Sequence, residues 1–64
     1  MNYRLCLRIG DWLAMVINFS ADTTEGARAR AAEIFAEYPE MSGYDLWSGS
    51  KRIAYEARSG KRRT

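Results

Sequence analysis

Residues alternate from the start of the chain. Between Asn2 and Ile9, Tyr3, Leu5, Leu7 and Ile9 fall on one side and Arg4, Cys6 and Arg8 on the other. That period of two marks a half-buried strand. Gly10-Asp11 suits a tight hairpin turn, and a second strand is predicted from Trp12 to Ser20. Leu13, Met15, Ile17 and Phe19 line one of its faces; Trp12, Ala14, Val16 and Asn18 line the other, so this strand is largely apolar on both. Two registers are open for the hairpin. A two-residue turn pairs Ile9 with Trp12 and puts Leu5 and Leu7 on the side of Val16 and Ala14. A three-residue connection, Gly10-Asp11-Trp12, pairs Ile9 with Leu13, Leu7 with Met15, Leu5 with Ile17 and Tyr3 with Phe19. The second gathers the large residues on one face and is preferred, because a slip of one residue exchanges the buried and exposed sets.

Asp22 with Glu25 three residues on resembles a capping box, with Asp in place of Ser or Thr. It predicts a helix from Thr23 to Tyr38, stopped by Pro39. Ala27, Ala31, Ile34, Phe35 and Tyr38 recur at helical spacing as the inward stripe, while Arg28, Arg30, Glu33 and Glu37 fall mostly outside it. After a loop from Pro39 to Gly43, strands are predicted over Tyr44 to Ser48 and Arg52 to Arg58, joined by a Gly49-Ser50 turn. That turn pairs Leu46 with Ile53 and Tyr44 with Tyr55 on the core face, and Trp47 with Arg52 on the other, within reach of a cation–π contact. The order β-β-α-β-β predicts one α+β domain over residues 1–58, an antiparallel sheet with one helix packed on one face, followed by a basic tail over residues 59–64.

Composition narrows the chemistry. With 64 residues there is no room for a second domain, and 47% hydrophobic content is ordinary for a folded one. One Cys cannot form an internal disulfide, and without His neither a Cys/His zinc site nor a Ser-His-Asp or Cys-His pair can be assembled within the chain. Catalytic residues, metal ligands and cofactors are therefore not expected. Cys6 between Arg4 and Arg8 reads as a small hydrophobe on a strand, and the Glu33/Glu37 pair as surface charge. The apolar run Trp12–Ile17 is far short of the roughly 20 residues a membrane-spanning helix needs. Arg4 and Arg8 break any signal-peptide core, and a lone thiol suits a reducing interior, so the expected location is the cytoplasm.

The net charge of +2 invites a nucleic-acid reading, yet Lys61, Arg62 and Arg63 all sit in the tail, and the remaining 7 basic residues meet 8 acidic ones. More telling is the face that a single helix leaves uncovered. By strict alternation it carries Arg4, Cys6, Arg8, Ala14, Val16, Asn18, Asp45, Trp47, Arg52, Ala54, Glu56 and Arg58, with Trp12 on the same side. Trp and Arg are favoured in protein interfaces. The candidate contact residues are thus Arg4, Arg8, Trp12, Val16, Trp47 and Arg52, with Lys61, Arg62 and Arg63 of the tail. They predict a protein-interaction module that forms a homodimer and meets a protein partner. The alternative is a single-stranded nucleic-acid binder that stacks bases on Trp47.

Ala27-Arg28-Ala29-Arg30-Ala31-Ala32, then Gly43-Tyr44-Asp45-Leu46-Trp47-Ser48-Gly49, then Arg52-Ile53-Ala54-Tyr55 form an Ala-rich helix followed by a Leu-Trp-x-Gly hairpin. This half of the chain resembles short bacterial and phage proteins of unassigned function, among them small anti-CRISPR inhibitors of type I effector complexes. The Gly60-Lys61-Arg62 end is similar to that of at least one of these inhibitors. The resemblance implies a non-enzymatic protein that occupies a surface of a large nucleoprotein, with Lys61 and Arg62 competing for a nucleic-acid path.

Overall fold

The computed structural model describes residues 1–57; Arg58 and the tail lie outside the described residues. Strands β1 (Asn2–Ile9) and β2 (Trp12–Ser20) form a hairpin, helix α1 (Thr24–Ala36) follows, and β3 (Gly43–Ser48) and β4 (Lys51–Ala57) form a second hairpin. All strand pairs are antiparallel, in the order β2-β1-β3-β4. This is the expected β-β-α-β-β layout. The two hairpins meet through β1 and β3, so the first strand of each is central and the second is an edge.

Alternation builds the core. Tyr3, Leu5 and Leu7 of β1 and Tyr44 and Leu46 of β3 point to one face and are buried there beneath Ala27, Ala31, Ile34 and Phe35 of the helix, with Met41 from the following loop. Leu5 stands opposite Leu46 and Leu7 opposite Tyr44. Phe35 meets Tyr44 edge-on at 5.0 Å between ring centres, and Tyr3 stacks on Phe19 at 5.9 Å, both within the range where aromatic pairs attract. Small alanines bring the helix close to the two central strands. The edge residues Met15, Ile17, Phe19, Ile53 and Ala54 are only partly covered.

The helix begins one residue later than the capping-box pattern predicts. Thr23, not Asp22, is the N-cap; its extended backbone lets Oγ1 accept from the Gly26 amide at 2.9 Å. The helix ends at Ala36, and Glu37 caps it, with Pro39 just beyond.

Both hairpins join their strands through a two-residue turn whose first residue is a glycine with positive φ, Gly10 at 60° and Gly49 at 63°. Such turns match the twist of the flanking strands. In each outer strand the third residue after the turn is unpaired. Trp12 and Leu13 face Ile9 and Arg8, Ala14 bulges, and Met15 resumes opposite Leu7. Lys51 and Arg52 face Ser48 and Trp47, Ile53 bulges, and Ala54 resumes opposite Leu46.

These bulges correct the predicted registers. In the first hairpin the turn pairs Ile9 with Trp12, not Leu13, yet Leu7–Met15, Leu5–Ile17 and Tyr3–Phe19 pair as preferred. The tight turn and the hydrophobic pattern demand registers one residue apart, and one extra residue satisfies both. In the second hairpin, Leu46 faces Ala54 rather than Ile53, and Asp45, not Tyr44, faces Tyr55.

Candidate functional site

The sheet face opposite the helix carries no second layer among the described residues. Register places its side chains in three rows, each running β2-β1-β3-β4. The first is Asn18, Arg4, Trp47 and Arg52; the second Val16, Cys6, Asp45 and Tyr55; the third Leu13, Arg8, Gly43 and Ala57.

Asp45 is the hub of this face. It sits on a central strand with its side chain 16% exposed, and it receives Arg8 Nε at 3.0 Å from the third row and Arg52 Nη1 at 3.4 Å from the first. Arg52 also lies over the Tyr55 ring, 4.7 Å from its centre. The cation–π contact expected with Trp47 is thus made with Tyr55, because the Ile53 bulge turns Tyr55 outward. Trp47 stands half-buried between Arg4 and Arg52 on the adjacent strands. Cys6 is half-buried between Val16 and Asp45.

Of the sequence-predicted contact residues, the structure brings Arg4, Arg8, Val16, Trp47 and Arg52 onto this one face. Trp12 is not among them. The Ala14 bulge puts it opposite Ile9, with the parity of the helix side, at the tip of the first hairpin, where it is 78% exposed. Leu13 takes the open face instead, opposite Arg8 and 60% exposed. The same logic moves Ala54 and Glu56 off the open face, where alternation had put them, to positions opposite Leu46 and Tyr44. Lys61, Arg62 and Arg63 lie outside the described residues.

Two participants escaped sequence reasoning. Tyr55, 67% exposed, falls on the core face by alternation because nothing in Arg52-Ile53-Ala54-Tyr55 marks Ile53 as unpaired. Alternation places Asp45 on the open face but does not mark it as the partner of two arginines; its position opposite Cys6 puts it two residues along β1 from Arg8, a neighbour that only the β1–β3 register reveals.

Three further features border the face. Ser42 fastens the loop before β3 to the first hairpin: its amide donates to the Arg8 carbonyl at 2.8 Å, and its Oγ accepts from the Gly10 amide at 2.7 Å. At the β4 edge, Arg28 of the helix with Arg52, Ile53, Ala54 and Tyr55 lines an open cleft of about 330 Å³. On the helix side, burial raises the Tyr44 phenol above its ordinary pKa; Glu56 adds to the rise and Arg28 opposes it.

Among the described residues no group of three or more His, Cys, Asp or Glu is placed to hold a metal ion, and no helix is long and apolar enough to cross a membrane. No family model, curated protein or solved structure matches this chain.

Proposed function

We propose that this chain is a small, non-enzymatic protein-interaction module, homodimeric, that binds a macromolecular partner through its open sheet face and basic tail. The observation that carries this reading is the makeup of that face: Trp47 flanked by Arg4 and Arg52, with exposed Leu13, Val16 and Tyr55 around an ion-paired centre. Aromatic and arginine side chains around a desolvated centre are what protein interfaces concentrate. A fold this small buries a modest share of its surface, and a bound partner adds stability by mass action. Base stacking fits less well, because Arg8 and Arg52 are both ion-paired with Asp45, whose carboxylate already meets their charge and would repel a phosphate.

The resemblance to small anti-CRISPR inhibitors gives this reading its sharpest form: a phage or mobile-element protein, acting in the cytoplasm, that occupies a surface of a nucleoprotein complex.

The test is capture on the immobilised full chain from a nuclease-treated host lysate, with Trp47→Ala in parallel. The expected result is a stoichiometric protein that the variant fails to retain. Recovery of no protein, together with salt-sensitive binding of single-stranded RNA or DNA, contradicts the reading and favours a nucleic-acid binder.

A further inference from the structure

The two sheet edges differ in kind. An edge strand presents unpaired backbone N–H and C=O groups, and proteins usually guard it with charge or irregularity. The β4 edge is guarded: Lys51, Arg52 and Glu56 lie on it, and the Ile53 bulge interrupts it. The β2 edge carries no Asp, Glu, Lys or Arg from Trp12 to Ser20. Its bulge at Ala14 lies near the turn and leaves Met15–Ser20 regularly paired. Because the helix packs on the central strands, Met15, Ile17 and Phe19 are only half-covered on their own side of the sheet, while Val16 and Asn18 are exposed on the other.

We propose that β2 pairs, antiparallel, with β2 of a second copy of this chain, joining two sheets into one of eight strands. This rests on the reading of the chain as an interaction module and names one partner. Charge argues for a second copy. In a two-fold pairing a strand faces itself, so a charged residue near the axis stands close to its own counterpart. β2 has none to repel, whereas β4 does, and a neutral strand offers a charged peptide no counter-charge.

The pleat fixes the register. Directly opposed residues point to the same face, so the two-fold axis passes through a residue rather than between two. An axis through Ile17 sets Met15 against Phe19 of the second copy and Val16 against Asn18 of the second copy. It brings all three half-covered helix-side residues of each copy together and stays within the regular stretch. An axis through Val16 draws the Ala14 bulge into the pairing, and one through Asn18 leaves Met15 outside it.

A strand edge of this length falls below the roughly 1,200 Å² of a stable complex, so association is expected at micromolar concentration, readable by light scattering of the full chain between about 10 and 500 μM. The wild type should approach twice the mass of one chain and dissociate on dilution. Val16→Glu should weaken the dimer at least about tenfold, since each carboxylate then sits on a bare edge near its counterpart. Adding Asn18→Lys should restore it, because each introduced carboxylate then faces an introduced ammonium on the other copy. Both positions are exposed, and far-UV circular dichroism should be unchanged. A one-chain mass for the wild type throughout overturns the proposal, as does a double variant as dissociated as the single one. A dimer that survives Val16→Glu but is lost in Trp47→Ala overturns edge pairing and leaves the interaction-module reading standing. A dimer with the predicted variant pattern that captures no protein sinks only the binding of a further partner.

Discussion

Arg8 reaches Asp45 across the backbone of Gly43. Arg8 and Gly43 stand directly opposite on β1 and β3, and a Cβ at position 43 would lie 3.2 Å from Arg8 Nη2. It would also lie 2.6 Å from the Glu56 backbone oxygen, closer than any real Cβ comes to backbone. The missing side chain therefore does two things at once: it lets β4 close against β3, and it leaves a path for the guanidinium to the carboxylate at the centre of the open face.

Gly43→Ala is accordingly expected to destabilise the fold, by about 1–3 kcal/mol if it behaves as other overpacked sites do. The backbone of β4 cannot move aside without disturbing its pairing with β3. Urea denaturation followed by tryptophan fluorescence checks this, and a midpoint equal to that of the wild type would contradict the close approach.

The helix start offers a discriminating pair of substitutions. Thr23 Oγ1 accepts from the Gly26 amide, whereas no hydrogen bond to the first turn is made by the Asp22 side chain among the described residues. Thr23→Ala should cost about 1 kcal/mol, in the usual range for a lost N-cap. Asp22→Ala should stay within about 0.5 kcal/mol of the wild type, as exposed substitutions usually do. Reversed magnitudes in denaturant titrations would restore the capping box that the sequence pattern suggested.

Alkaline pH tests the surroundings of Tyr44. Burial, and after it the Glu56 carboxylate, favours the neutral phenol in the folded chain, against the opposing pull of Arg28. The folded pKa thus stands above that of the unfolded chain. Stability from this preference is complete below the unfolded value of about 10 and is lost as pH rises through the raised folded value. Tyr44→Phe keeps the ring against Phe35 and has no proton to lose. Its urea midpoint should decline less than that of the wild type between neutral and strongly alkaline pH. Parallel declines would show that Tyr44 ionises no differently when folded.

Much of this architecture could be read from the chain because its dominant signals are short-range. Tyr3, Leu5 and Leu7 alternate without interruption, Ala27, Ala31, Ile34 and Phe35 follow helical spacing, and Gly10 and Gly49 mark the turns. The bulges could not be read, for a physical reason. Ile9 and Trp12 obey the turn while Leu7 and Met15 obey the core, and both pairings are favourable locally. Only the assembled sheet shows that the strand accommodates both by leaving Ala14 unpaired. The same blindness fell on Ile53, and it misplaced Trp12, Leu13, Ala54, Tyr55 and Glu56. The open face was therefore legible through β1 and β3, where Arg4, Arg8, Asp45 and Trp47 lie, and misread along the outer strands.

An alanine scan of the two sides of the molecule against the captured partner tests the central claim most directly. Isothermal titration calorimetry should find that Trp47→Ala on the open face weakens binding by about 30-fold or more, the effect of losing a hot spot worth about 2 kcal/mol. Arg30→Ala, on the exposed side of the helix in an ion pair with Glu33, should leave the affinity unchanged. Full affinity in Trp47→Ala with loss in Arg30→Ala would put the contact surface on the helix and contradict the account.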